Sequence, residues 1–202
     1  SPPVRDSAIL VLRAYYTLLV QDWNERIEDV RDEQEMAAFR RGLRSNGLVL
    51  ASSEGMTYVR ERADYFYRAV AIHGSPVWTE FARLRATELR QGFCEDAGLL
   101  ISWRTLGGRL LAWERYLDRH GDGMMREPAD YLYRLYLSAF LSGVDNTPAF
   151  GHDGRLRPAV KAEYLRIVKR APGSATGQLL ADYVRALAAN GWCDGAYRQE
   201  FL

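Results

Sequence analysis

Residues 99–117 read LLISWRTLGGRLLAWERYL, and this stretch decides the class of fold. Leu99, Leu100, Ile101, Trp103, Leu106, Leu110, Leu111, Trp113 and Leu117 leave hardly any polar face at helical spacing. A helix that is apolar on most sides must be surrounded by other elements, because water along any side would face hydrocarbon. The expectation is a buried central helix, ended by the polar, glycine-containing residues 118–123.

The same period recurs on both sides of it. Ile9, Leu12, Tyr16, Leu19 and Trp23 trace one face of a first helix that starts near Asp6. Residues 24–35 (NERIEDVRDEQE) are highly charged, and a short helix over 36–43 precedes the break at Ser45-Asn46-Gly47. Ser52, Ser53 and Gly55 then form a linker into a helix over 56–72, in which Met56, Val59, Ala63, Phe66 and Val70 make one narrow apolar stripe. His73-Gly74-Ser75-Pro76 stops that helix and starts another, with Ser75 as N-cap and Pro76 at the first helical position. Further helices are expected over 128–142, 159–170 and 175–189, with a Gly/Pro/Asp-rich loop reaching Pro158. No stretch alternates at period 2. The chain therefore reads as all-α: seven or eight helices around one hydrophobic core, in a single domain over 1–202.

Composition narrows the function. Of the 202 residues 48% are hydrophobic and 26% charged, as in folded domains and unlike disordered tails. Twenty-seven basic side chains against 26 acidic ones leave a formal charge of +1, without the basic excess that phosphate backbones require, so nucleic acid is not an expected partner. No run of apolar residues is long enough to span a bilayer. Cys94 and Cys193 are the two cysteines. Bridged, they would close a long loop worth ~4–5 kcal/mol in chain-entropy terms; as two buried thiols they fit a reducing compartment.

The inventory of reactive groups is thin. His73, His120 and His152 are scattered, without HExxH or any second histidine at helical spacing, and no Walker loop, GxGxxG or GxSxG occurs. Residues 118–130 (DRHGDGMMREPAD) match a calcium loop at Asp118, Asp122 and Gly123 but place His120 at the third position and Ala129 at the twelfth, where acids are needed. They read as a capped turn between helices, and the acidic loop over 145–153 as a solvated turn. The expectation is a binding protein without metal or cofactor, not an enzyme.

Four segments suggest what it would bind. VRERADYF (59–66) places a small residue, Ala63, beside Asp64 on an apolar stripe, a pattern that lets a helix press close to a partner while its carboxylate meets an arginine. Arg109, 45 residues after Asp64, lies in LGGRLLAWERYL (106–117) at the heart of the apolar helix. NGWCDGAYRQEF (190–201) and RDSAILVLRAYYTLLVQDW (5–23) flank the chain. In this order the four resemble the homology motifs of the Bcl-2 family of apoptosis regulators: VRERADYF its BH3 motif, Gly108-Arg109 its first motif, Gly191-Trp192 its second, and the first helix its N-terminal motif. Leu106 and Gly107 replace the family's asparagine and tryptophan, Cys193 is inserted before Asp194, and residues 144–173 add a loop and helix. The resemblance is to a diverged member of viral type.

That resemblance implies a helical bundle that blocks apoptosis by taking BH3 helices of pro-death proteins into a hydrophobic groove. Phe66, Val70, Val77, Phe81 and Leu84 would line one wall, Leu99, Leu100 and Trp103 the other, and Gly108 would let the ligand approach. Arg109, hydrated in the empty groove, would pair with the ligand's aspartate. It also implies the cytoplasm and mitochondrial or other intracellular membrane surfaces of an animal host cell, reached through a hydrophobic tail beyond Leu202. A killing member of the same family, with its 56–72 helix exposed, is the first alternative. A bacterial immunity- or chaperone-type helical protein with a Cys94–Cys193 bridge is the second.

Overall fold

The computed structural model of the chain describes residues 2–53, 55–195 and 201, mostly as helix, in two units over 1–91 and 92–202. The first unit opens with α1 (Pro2–Arg26), whose Ile9, Tyr16 and Trp23 are buried at helical spacing. Asp32 then caps α2 (Glu33–Ser45): its carboxylate accepts the Glu35 N–H at 2.8 Å, and the Glu35 carboxylate accepts the Arg31 N–H at 2.9 Å. That pair of caps is what the charged run over 24–35 supplies. Trp23 lies edge-on to Phe39 at 5.0 Å, and α2 comes so close that a Cβ on Gly42 would stand 2.5 Å from the Trp23 ring. Tyr16 donates to the Asn46 carbonyl at 2.7 Å, and burial pushes its phenol well above the ordinary tyrosine range.

The helix expected over 56–72 does not form. In its place β1 (Leu48–Ser53) and β2 (Met56–Glu61) make an antiparallel hairpin with Ser53 opposite Met56, followed by the five-residue α3 (Tyr65–Ala69). Gly55, at φ +79°, turns the chain between the strands. The reason for the override lies on α1. The Asn24 side chain grips one residue of β2 from both sides, its Nδ2 donating to the Val59 carbonyl at 2.8 Å and its Oδ1 accepting the Val59 N–H at 2.7 Å. Val59 and Leu48 are buried in the cluster of Tyr16, Trp23, Phe39 and Leu43, which a helical 56–72 would not allow at this register. The unit closes with α4 (Pro76–Gln91). Ser75 does not cap it with its hydroxyl, which is buried without a hydrogen-bond partner among the described residues; instead the Asp6 carboxylate accepts the Ser75 N–H at 2.9 Å.

The second unit begins with a short hairpin, β3 (Cys94–Glu95) and β4 (Gly98–Leu99), and α5 starts only at Trp103 and runs to His120. Ser102 is its N-cap, accepting the Thr105 N–H. Then come α6 (Arg126–Ser142), β5 (Gly143–Val144) with β6 (Thr147–Pro148), α7 (Pro158–Arg170) and α8 (Ala175–Ala189). Helix α5 packs against α6, α7 and α8 and buries Leu106, Leu110, Trp113 and Tyr116 completely. It is not apolar on all sides, however: Arg104, Gly108, Arg115 and Arg119 form an exposed face. Rings fill the space between α6, α7 and α8, with Phe140, Tyr164 and Tyr183 in sequence at 5.1 and 5.9 Å.

Residues 144–173 hold β6, α7 and the loop between them. Asn146, at the tip of β5–β6, donates through its backbone to the Ala97 carbonyl at 2.8 Å and through its side chain to the Asp96 carbonyl, so the two small hairpins clasp each other. At the far end Gly191 and Trp192 both take left-handed backbone conformations that stop α8. The Trp192 carbonyl accepts the Leu156 N–H at 2.8 Å, and the Lys161 ammonium sits 3.5 Å above the Trp192 ring. The rest of the 190–201 motif, residues 196–200, lies outside the described residues. Cys94 is exposed and Cys193 half-buried, and no disulfide joins them, so neither is the buried thiol that was expected.

Candidate functional site

Sequence reasoning placed a helix-binding groove on ten residues, which fall in both units. In the first, Phe66 is buried against Tyr16 at 6.2 Å, with the Arg13 guanidinium 5.0 Å over its ring. It is a core residue there. Val70, Val77, Phe81 and Leu84 are half-buried, and Phe81 lies edge-on to Trp78 at 6.4 Å. In the second, Leu99 belongs to β4, Leu100 is exposed in the turn after it, and Trp103 packs on Phe140 at 6.2 Å.

The BH3-like string loses its helical stripe. Val59 and Arg60 are in β2, Ala63 and Asp64 lie in the turn after it, and only Tyr65 and Phe66 are in α3. Asp64 makes ion pairs with Arg68 at 3.3 Å and Arg62 at 3.6 Å, and the Arg68 hydrogen bond holds its carboxyl below the usual carboxylate range. The small-residue-acid pair thus shapes a turn.

Arg109 and its glycines also change roles. Arg109 is buried and engaged inside its own unit: Nη2 donates to the Gly92 carbonyl at 2.6 Å, and the guanidinium lies 5.6 Å from the centre of the Tyr136 ring. The hydrated arginine that the resemblance implied is therefore a tie between α5, α6 and the chain entering β3. Of the two glycines, Gly107 and not Gly108 permits close approach. A Cβ on Gly107 would stand 2.9 Å from Ile167 Cδ1 and 3.2 Å from the Phe140 ring, whereas Gly108 faces open space. Gly108→Ala should accordingly raise stability by about 0.5–1 kcal/mol, the ordinary gain of alanine over glycine inside a helix. Gly107→Ala should lower it by about 1–3 kcal/mol through overpacking. Equal effects of the two, measured by urea denaturation, would contradict the assigned packing.

The feature that sequence reasoning missed is on α1. To one side of its buried face, Val4, Ala8, Val11, Tyr15 and Leu18 follow one another at spacings of four and three, and all five are exposed. Val4, Val11, Tyr15 and Leu18 are between 61% and 71% exposed. Leu12 and Ala14, on the flanks, are exposed too. The signal was available, since residues 4–18 carry a second apolar stripe beside Ile9, Tyr16 and Trp23. A helix that is apolar on two faces needs two partners, and the unit supplies one.

Other parts of the surface offer less chemistry. A cleft of about 400 Å³ between α7 and α8 is lined by Val168, Pro172, Gly177, Gln178 and the Asp182–Arg185 ion pair. Among the described residues no group of three or more His, Cys, Asp or Glu could hold a metal ion, and no helix is long and apolar enough to cross a membrane. Comparisons of the chain with protein-family models, with curated proteins and with solved structures find no match to any of them.

Proposed function

We propose that this protein is a helix-docking module, which holds an amphipathic helix of a partner along the exposed face of α1. The observation that carries the reading is the unbroken stripe Val4, Ala8, Val11, Tyr15 and Leu18, aligned on one side of a helix whose other side is already packed. Helix-on-helix recognition uses this alternation of three and four, with large anchors set among smaller residues.

A finer reading comes from the Bcl-2 resemblance: the partner helices are BH3 helices of pro-death proteins, and their capture restrains apoptosis. What supports it is the order of the four motifs and a strongly apolar helix, α5, at the centre of the second unit. It requires Arg109 to exchange the Gly92 carbonyl for a ligand carboxylate.

One titration separates the two. A panel of amphipathic helical peptides that includes BH3 sequences should show binding at micromolar concentrations, about −8 kcal/mol. If the face of α1 is the site, Leu18→Lys abolishes binding while Arg109→Met leaves it within a few-fold. If the finer reading holds, the sensitivities reverse. Absence of binding by every peptide at about 100 µM rejects both.

A further inference from the structure

The exposed face of α1 has features that select one occupant. Its central positions are Val4, Ala8, Val11, Tyr15, Leu18 and then Asp22, an acid on the same stripe. The set is symmetric about the level of residue 13. Reflected there, Val11 meets Tyr15, Ala8 meets Leu18, and Val4 meets Asp22, so each large side chain faces a small or branched one. Arg5, exposed next to Val4, comes beside the reflected Asp22.

We propose that α1 pairs with α1 of a second copy of this chain, antiparallel, about a two-fold axis at the level of residue 13. The proposal rests on the helix-docking reading and names its partner. Three observations favour a second copy in this orientation. The first is complementarity of size: alanine opposite leucine and valine opposite tyrosine interdigitate, as facing positions of paired helices do. The second is charge. A parallel, in-register pair would stack Asp22 on Asp22 and Tyr15 on Tyr15, whereas the antiparallel pair places Arg5 against Asp22 at both ends. Asp22 pairs with exposed Arg26 at 3.4 Å, a solvated contact that is easily exchanged.

The third observation is area. Four large side chains more than half exposed, with Leu12 and Ala14 at the flanks, offer on the order of 500 Å² per copy, or roughly 1,000 Å² in the pair, the lower bound for a specific interface. A closed two-fold contact uses the same patch on both copies and leaves no open edge for further growth. An interface of this size forms a transient dimer, with a dissociation constant on the order of 10–100 µM.

The test is sedimentation of the full chain across concentrations, combined with oriented cross-linking. The chain should pass from monomer to dimer in the range given. Val11→Asp should weaken the association at least tenfold with unchanged helical circular dichroism; if that variant does not fold, Leu18→Lys serves in its place. Arg5→Asp should weaken it severalfold, and adding Asp22→Arg in the same chain should restore it. In a background with Cys94 and Cys193 replaced by serine, mixed Ala8→Cys and Leu18→Cys chains should cross-link to each other faster than to themselves. A wild-type chain that stays monomeric at about 200 µM overturns the proposal, as does preferential Ala8→Cys self-cross-linking. In either case the peptide titration decides by itself whether the helix-docking reading stands.

Discussion

Arg109→Ala is expected to destabilise the second unit by about 2–4 kcal/mol, a loss of roughly 10 °C or more in its melting temperature. The guanidinium is buried, and its Nη2 hydrogen bond to the Gly92 carbonyl, at 2.6 Å, is charge-assisted. Truncation removes that donor, empties the space over the Tyr136 ring and leaves the carbonyl to find water in a half-buried turn. Gly92 sits at φ +73° with Leu100 packed where a Cβ would be, so the turn has little freedom to adjust. Arg109→Met keeps the aliphatic stem and should recover part of the loss; Arg109→Lys, with one compact charge, should recover more of it. Thermal melting followed by circular dichroism decides the matter. A variant with an unchanged melting temperature would return Arg109 to the role of a ligand-facing arginine.

Gly177→Ala is expected to cost about 3 kcal/mol or more. A Cβ at this position would lie 1.8 Å from the Ala171 carbonyl oxygen, which is backbone and cannot swing aside. The first turn of α8 is pinned from three directions: Ser174 Oγ accepts the Gly177 N–H at 2.9 Å, the buried Glu114 carboxylate accepts the Thr176 N–H at 3.1 Å, and the Tyr133 hydroxyl meets Thr176 Oγ1 at 3.1 Å. Any shift that relieves the clash breaks one of these caps, each worth about 1 kcal/mol. The control is Gly173→Ala in the same turn, where a Cβ meets nothing and the change should stay within about 0.5 kcal/mol of neutral. Urea denaturation of both variants checks the pair. Equal stabilities would mean that the turn between α7 and α8 is looser than its hydrogen bonds imply.

Most helices were legible because their signals are local. Pro158 at the start of α7, Ser174 before α8 and the 9–16–23 period of α1 need no distant partner to be read. The stretch 48–61 was not legible for the opposite reason. Met56, Val59, Ala63 and Phe66 fit a helical stripe, and what overrules it is the Asn24 amide, 35 residues away, bonded to both polar groups of Val59. The same holds for the groove residues. Phe66 reads as an anchor on a helix, but its place against Tyr16 and Arg13 is set by where the hairpin leaves the chain.

The mostly helical character, the approximate limits of most helices and an apolar helix within 99–117 could be read from the chain alone, because periodicity and caps act within a few residues; the structure moves that helix to Trp103–His120. The sequence also contained the second stripe of α1, whose meaning depended on which face the fold would cover. That Arg109 ties α5 to Gly92 and Tyr136, that Gly107 and not its neighbour admits α7, and that Val4, Val11, Tyr15 and Leu18 remain outside are visible in three dimensions alone. Whether a buried charge finds its partner inside the protein, and which of two equally apolar helix faces is covered, are properties of three-dimensional packing, and the pattern along one helix is the same in either case.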